Sequence, residues 1–315
     1  MCLLCLFVAL VSILIPAYNC RQWIGRAVES ALGQGWKHCE VIVVDDCSTD
    51  NTDRELKQFE GSIRVERSLA NGGQNRTRNQ LTELSKGEWL VYLDADDELE
   101  RDSVEQKLKL VAEADVIYGS TKIATYEGDR EVESQRIVAD DYDDLWSAFF
   151  AWRFPNTSAF CFRRSAVLDA GGWNENIKNC TDYDMYFRLL TLGQKFKAAP
   201  DAWSTYRQWS STQAVNEDPL RKMTTRLELM FGASAQLRAV GAMTAARTNA
   251  FFDASLGVLR TIYPLAPSLA IEKHEALLSM CSECRPSKEL FPARYRFVYE
   301  TVGFSSAERI AELMR

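Results

Sequence analysis

The chain has 315 residues, 46% of them hydrophobic and 26% charged, with a formal net charge of −7 and a pI near 5.2. That composition is globular: it excludes disordered, collagen-like and coiled-coil chains, and its acidic balance argues against a duplex nucleic-acid binder. Residues 1–220 carry 24 Lys and Arg against 35 Asp and Glu, whereas residues 221–315 carry 13 against 9, so an acidic body and a mildly basic tail predict two units.

Cys2 to Ile15 is an apolar run broken only by Ser12. It is shorter than the roughly 18–20 residues that a spanning helix needs, and it lacks the basic stretch of a signal peptide. Residues 1–10 read as an extension of the first strand, a membrane-surface contact or a misassigned start. Val11–Ile15 predicts a buried strand ending at Pro16. Trp23, Ile24, Ala27, Val28, Ala31 and Leu32 form a helical stripe over Arg21–Leu32. Further strands are predicted at Glu40–Val44, Ile63–Val65, Glu88–Leu93 and Val116–Ile123. Helices are predicted at Thr52–Phe59, Gly73–Leu84 and Ser103–Ala112. Strand and helix alternating through short links imply an α/β fold with a mostly parallel sheet covered on both faces.

Beyond residue 123 the pattern loosens. Glu127–Asp144 reads as an acidic loop, Leu145–Trp152 as a short helix, Ser158–Phe162 as a strand and Gly171–Glu175 as a turn. Asp182–Leu192 is an amphipathic helix closed by Gly193. Residues 216–315 keep helical spacing, punctuated by Pro264, Pro267, Pro286 and Pro292. Their aromatic and aliphatic content fits a core or a homodimer contact, and their basic balance allows peripheral membrane contact. The domains expected are an apolar extension (1–10), an α/β unit (11–215, halves 11–123 and 124–215) and a helical region (216–315).

In open α/β sheets, ligands lie beyond the carboxyl ends of the strands. There stand Pro16-Ala17-Tyr18-Asn19, Asp45-Asp46-Cys47-Ser48, Asn71-Gly72-Gly73 and Asp94-Ala95-Asp96-Asp97. Adjacent carboxylates repel one another unless a cation compensates. Their oxygens suit Mg²⁺ or Mn²⁺ bridging to phosphate, although a strand-end turn with a capping Asp would look the same. Asp45 and Asp46 can accept hydrogen bonds from a base or a ribose, while Ser48 to Asn51 are turn and cap residues. Thr181 and Asp184 resemble a capping box. That leaves Asp182 in the first helical turn, free to accept a proton.

Two histidines, His38 and His274, are too few for a His-rich zinc site and poorly placed for a Ser-His-Asp hydrolase. No Gly-Lys-Ser/Thr loop or GxGxxG motif occurs. Nine scattered cysteines fit a reducing compartment. Cys281 and Cys284 form one CxxC pair, which falls short of the four ligands zinc takes.

Val11–Asn19, Val41–Thr52, Arg78-Asn79, Leu93–Asp97, Gly171–Glu175 and Asp182–Met185, in this order, resemble family 2 glycosyltransferases over about residues 11–215. The resemblance implies a GT-A fold and inverting, metal-dependent sugar transfer from a nucleoside-diphosphate sugar, with UDP favoured. The acceptor would be a saccharide or lipid-linked saccharide of a cell-surface polysaccharide, handled in the cytoplasm. Pro16, Ala17 and Tyr18 would line the nucleotide pocket. Asp46, with Asp45, would contact the base, with Arg78 nearby. Asp94 and Ala95 would lie against the donor, Asp94 holding ribose or metal. Asp96 would coordinate Mg²⁺ or Mn²⁺, Arg207 in the Tyr206–Thr212 stretch would touch the pyrophosphate, and Asp182 would be the general base. Cys47 stands where the family has a small residue, and Thr181 where it has Glu. A sugar nucleotidyltransferase or a catalytically silent nucleotide-sugar-binding module are the rival readings.

Overall fold

A computed structural model of the chain describes residues 9–128, 130–209 and 218–313. Cys2, Cys5, most of the 1–10 extension and residues 210–212 of the late loop lie outside the described residues. Strands β1 (Val11–Ala17), β2 (Cys39–Asp45), β3 (Arg64–Arg67) and β4 (Trp89–Tyr92) alternate with helices α1 (Ile24–Leu32), α2 (Thr52–Leu56) and α3 (Gln74–Leu84). The four strands pair in parallel in the order β3-β2-β1-β4, with Val11 opposite both Cys39 and Trp89. Every residue of β1 is buried, as its unbroken apolar run requires for a strand covered on both faces.

The chain continues through β5 (Glu98–Leu99), α4 (Ser103–Leu108), β6 (Val116–Glu127), β7 (Arg130–Ile137), α5 (Leu145–Phe150), β8 (Phe160–Arg163), α6 (Arg164–Asp169), α7 (Thr181–Thr191) and β9 (Phe196–Trp209). β8 enters antiparallel between β4 and β6, β9 runs parallel to β6, and β5 closes antiparallel on β9. The sheet is therefore mixed, parallel through its first half. The β6–β9 register shifts at Gly119/Ser120. A Cβ at Gly119 would overlap the Ala202 carbonyl, so only glycine admits this close approach.

Two elements depart from expectation. The segment read as an acidic loop contains β7, which pairs antiparallel with β6 although all eight of its residues are exposed. Its two faces are both largely polar, so no alternation marks it; the backbone ladder to β6 makes it a strand, with Glu131 paired to Lys122 at 2.8 Å and Arg136 over the Trp203 ring at 4.8 Å. β9 spans 14 residues, of which the sequence signals only the end.

Val11, Ile13, Val43, Val91, Ile24 and Val28 join one apolar core beneath α1, each fully buried aliphatic chain contributing about 1.5–3 kcal/mol. Elsewhere in the unit the packing is aromatic: the Tyr92 ring lies 5.0 Å from Trp173, edge-on, and Phe160 stacks on Tyr186 at 4.4 Å.

The chain forms two compact units, Met1–Tyr142 with Pro155–Gln213, and Asp143–Phe154 with Ala214–Arg315. The second holds α5 and four helices: α8 (Pro219–Ala239), α9 (Ala245–Ile262), α10 (Pro267–Met280) and α11 (Ala293–Leu313). Asp218 and Thr244 accept amide hydrogen bonds at the starts of α8 and α9, and Pro219 and Pro267 occupy first-turn positions. Residues 143–154, placed with 124–215 on sequence grounds, pack with these helices. Asp144 pairs with Arg247 at 2.8 Å, and Phe150 lies 5.4 Å from Phe251. Among the described residues no helix is long and apolar enough to cross a membrane.

Candidate active site

The carboxyl ends of β1, β2 and β4 open onto one set of loops. Asn19 Oδ1 accepts from the Thr49 amide (2.8 Å), Ser48 Oγ accepts from the Asn19 amide (2.9 Å), and Asp50 accepts from the Arg21 amide (3.0 Å). The loops after β1 and β2 are thereby joined, which is the work of the turn residues Ser48 to Asp50. Pro16 and Ala17 are buried within β1, so Tyr18, 51% exposed, is the residue of the three that presents a side chain outward.

Asp45 and Asp46 are both buried. Asp45 Oδ1 accepts from the Ser48 amide (2.9 Å), and Arg67 lies 3.6 Å from its other oxygen. The Asp46 carboxylate accepts from the amides of Gly72 (2.9 Å) and Gly73 (2.8 Å). Its charge therefore orders the loop that starts α3, a role that sequence spacing did not assign to it.

The Asp94–Asp97 turn sorts its carboxylates by partner. Asp97 is fully buried and accepts from Ser158 Oγ (2.6 Å), Asn156 Nδ2 (2.9 Å) and the Arg207 amide (3.2 Å). Burial, then the charges of Asp96 and Asp94, push its carboxyl well above the usual range. Asp97 is thus a brace that ties the turn to β9, which the sequence did not distinguish from its neighbours. Asp94 accepts from Arg78 Nη2 (2.6 Å) and Gln74 Nε2 (3.2 Å). Ala95 is buried beside it. Asp96 is half-buried, and among the described residues no cation lies within ion-pair distance of its carboxylate. Burial and the Asp94 charge raise its pKa to about 6. The Arg207 charge offsets this only in part, and a half-buried carboxylate of this kind could hold a divalent cation. Among the described residues no group of three or more His, Cys, Asp or Glu side chains could hold a metal ion alone.

Arg207, expected at the pyrophosphate, is fully buried under this turn. Its Nε donates to the Asp96 carbonyl (2.6 Å), and its Nη1 lies 3.0 Å from Glu98. Its neighbour Tyr206, which sequence reasoning named only within the Tyr206–Thr212 stretch, is half-buried, and burial followed by the charges of Asp97, Asp96 and Asp94 pushes its hydroxyl to about 12.

Arg78 joins the halves of the site. It is 2% exposed, and its guanidinium lies 4.4 Å from the Trp173 ring centroid. While Nη2 holds Asp94, Nη1 donates to Thr181 Oγ1 (3.3 Å) in the first turn of α7. The capping-box expectation for Thr181 is corrected here. Cys180, left-handed at φ 54°, occupies the cap position, and Asp184 instead pairs with Arg188 at 2.7 Å. The hydroxyl of Thr181 is drawn away to Arg78. Asp182 then stands one residue beyond, half-buried, accepting from the Tyr183 amide (2.9 Å). Burial raises its pKa, the Tyr183 amide and Arg78 oppose this, and the Asp94 charge adds to it. A carboxylate so raised is a stronger base than a solvated one.

α3 also fixes the loop before α7. Asn79 donates to the Trp173 carbonyl (2.9 Å) and accepts from its amide (2.7 Å), and Asn75 donates to the Asn174 carbonyl (2.6 Å). Gly172 has φ +71°, and a Cβ there would stand 2.8 Å from Asn79 Oδ1, so the Gly171–Glu175 turn needs glycine at that point.

The chain is similar to known proteins. Over 201 residues the chain is 36% identical to a hyaluronan synthase of Pasteurella multocida, covering 60% of this chain and 19% of that protein. It is 37% identical over 229 residues to the putative teichuronic acid biosynthesis glycosyltransferase TuaG of Bacillus subtilis, covering 63% of this chain and 88% of the relative. The chain thus spans about a fifth of the Pasteurella hyaluronan and chondroitin synthases but most of the Bacillus protein. The crystal structure of S. aureus TarS 1-349 in complex with UDP-GlcNAc matches with a TM-score of 0.62 at 17% identity, covering 97% of this chain and 92% of that one; the shared fold is GT-A. The model of the glycosyl transferase family 2 matches residues 12–172, which include β1 from Ser12 on, Asp45-Asp46, Asp94–Asp97 and the two glycines of the Gly171–Glu175 turn, and end before Asp182. With the family model matching half of the chain and the fold in agreement, the chain belongs to glycosyl transferase family 2.

Proposed function

We propose that the protein transfers a sugar from a UDP-sugar to a hydroxyl of a saccharide or lipid-linked saccharide acceptor in polysaccharide synthesis at the cytoplasmic face of the membrane, with inversion at the anomeric carbon. The observation that carries this reading is the Arg78 bridge, which holds the donor-side carboxylate Asp94 and the first turn of α7, with Asp182, in one site. The names of the Pasteurella and Bacillus relatives, and the UDP-GlcNAc bound by TarS, support the substrate class.

In this reading Asp182 accepts the proton of the acceptor hydroxyl as its oxygen attacks the anomeric carbon. Arg78 keeps Asp182 in register with Asp94, so reactant position supplies much of the rate. Mg²⁺ or Mn²⁺ at Asp96, shared with the donor diphosphate, would offset the charge of the departing nucleotide. Asp97 and Arg207 hold the turn beneath. The test is UDP release from UDP-sugars with and without a saccharide acceptor, alongside UDP-sugar binding by calorimetry. Asp182→Asn is expected to keep donor affinity and lose about 10²–10⁴-fold in turnover. Wild-type turnover in that variant overturns the assignment of the base. Pyrophosphate release from a nucleoside triphosphate and a sugar phosphate would instead identify a nucleotidyltransferase.

A further inference from the structure

The CxxC pair of the second unit takes no part in the transfer chemistry, and it is built as a pair. α10 ends at Met280, and Cys281 follows as its C-cap, its amide donating to the carbonyls of Leu277 (3.0 Å) and Leu278 (3.2 Å). The chain then turns tightly, with the Cys284 amide donating to the Cys281 carbonyl (3.1 Å). A turn closed in this way keeps its end Cα atoms within about 7 Å, and disulfides span roughly 4.4–6.8 Å between Cα atoms. The two sulfurs are also near enough for each to shift the other's titration.

Their surroundings differ. Cys281 is 4% exposed, and Arg238 Nη2 donates to its sulfur (3.5 Å). Cys284 is half-buried, and its thiol donates to Asn249 Oδ1 (3.8 Å). His274, the histidine nearest in sequence, shares a hydrogen bond at 2.8 Å with Tyr299. Among the described residues these cysteines belong to no set of three metal-ligating side chains.

We propose that Cys281 and Cys284 form a reversible dithiol–disulfide site, in which Cys284 meets the oxidant and Cys281 closes the bond. The oxidant is a low-molecular-weight disulfide. The sulfur of Cys284, as thiolate, attacks one sulfur of that disulfide and expels a thiolate, leaving a mixed disulfide. The sulfur of Cys281 then displaces the second thiolate and forms the S–S bond. The pair loses two electrons and two protons, and the small disulfide leaves as two thiols. Arg238 stabilises the charge that develops on Cys281 during closure. Burial otherwise raises both thiols, Cys281 to about 11, so the pair exchanges slowly. The bond would join the end of α10 to the start of the segment leading to α11. The site stands independently of the glycosyltransferase reading.

The test is incubation of the intact protein with oxidised glutathione, followed by alkylation of free thiols and peptide mapping, with and without later dithiothreitol. The expected result is an intrachain Cys281–Cys284 disulfide that dithiothreitol reverses, with the thiols of Cys20, Cys39 and Cys161 still open to alkylation after unfolding. Cys281→Ser is expected to stop at glutathione attached to Cys284. Recovery of Cys281 and Cys284 as free thiols in the oxidised wild-type protein, or either one joined to a different cysteine, overturns the proposal. The mapping needs no variant, so a misfolded mutant does not obscure the answer.

Discussion

At the scale of single residues, Arg78 does the most with the least exposure. One guanidinium receives the π face of Trp173 and offers one nitrogen to Asp94 and another to Thr181. A lysine keeps the charge but presents one point donor where a planar fork is required. Arg78→Lys is therefore expected to lower kcat/KM by about 10²-fold. Most of the loss should fall on kcat, because the contact given up orients the base, and steady-state kinetics over donor and acceptor concentrations would separate the two parameters. An unchanged kcat with a raised KM would instead assign Arg78 to donor binding alone. Asp46 and Asp97 carry a different lesson. Each stands in a motif that looks like ligand chemistry, yet their described partners are backbone amides and neighbouring side chains of the protein itself. A carboxylate's composition and its neighbours do not reveal whether its lone pairs are already used.

At the scale of elements, α4 holds a cost that its sequence hides. Lys107 is fully buried, and its described hydrogen bond is to Ser103 Oγ at 3.1 Å. Burial lowers its pKa to about 8, against 10.5 in the unfolded chain. Below pH 8 the ammonium is charged in both states, and the folded state bears the full cost of burying it. As pH rises from about 8 to 10.5 the folded state releases its proton first, and that cost fades. Lys107→Met is thus expected to stabilise the protein at pH 7 by about 1–3 kcal/mol, read as a raised midpoint in denaturant unfolding. The gain should shrink at pH 10, and a gain independent of pH would mean that packing, not charge, produced it. β7 shows the opposite case, an element with no buried side chain, paired to β6 through its backbone and through contacts such as Glu131 with Lys122. Hydrophobic periodicity cannot detect a strand with no apolar face.

At the scale of the whole molecule, acid sensitivity has an identifiable source in the second unit. His274 is 7% exposed, stacked on Phe304 at 4.4 Å, and burial lowers its pKa from 6.5 to about 4. Between these values the unfolded chain takes up a proton that the folded chain refuses. The stabilisation is complete above about pH 6.5, erodes as pH falls toward 4 with a slope approaching about 1.4 kcal/mol per pH unit, and changes no further below. Urea unfolding of wild type and His274→Gln across this window would show it, since the variant lacks that component of the slope. Equal slopes in the two proteins would assign the acid sensitivity to other groups. Much of the architecture is written in local pattern: β1, β2, β4 and α1 follow from apolar runs and helical spacing, and the strand-end acidic clusters follow from where those runs stop. Local pattern reports which face of an element is apolar, and that suffices to build the parallel half of the sheet. The insertion of β8 between β4 and β6, the 14-residue span of β9 and the passage of 143–154 into the second unit depend on contacts between residues far apart in the chain. So does the meeting of Arg78 with Thr181 across 103 positions, which joins Asp94 to the first turn of α7. Sequence by itself determined many of the elements and the chemical character of their ends; tertiary structure decided which carboxylates brace the protein, because a hydrogen-bond partner is set by distance in space.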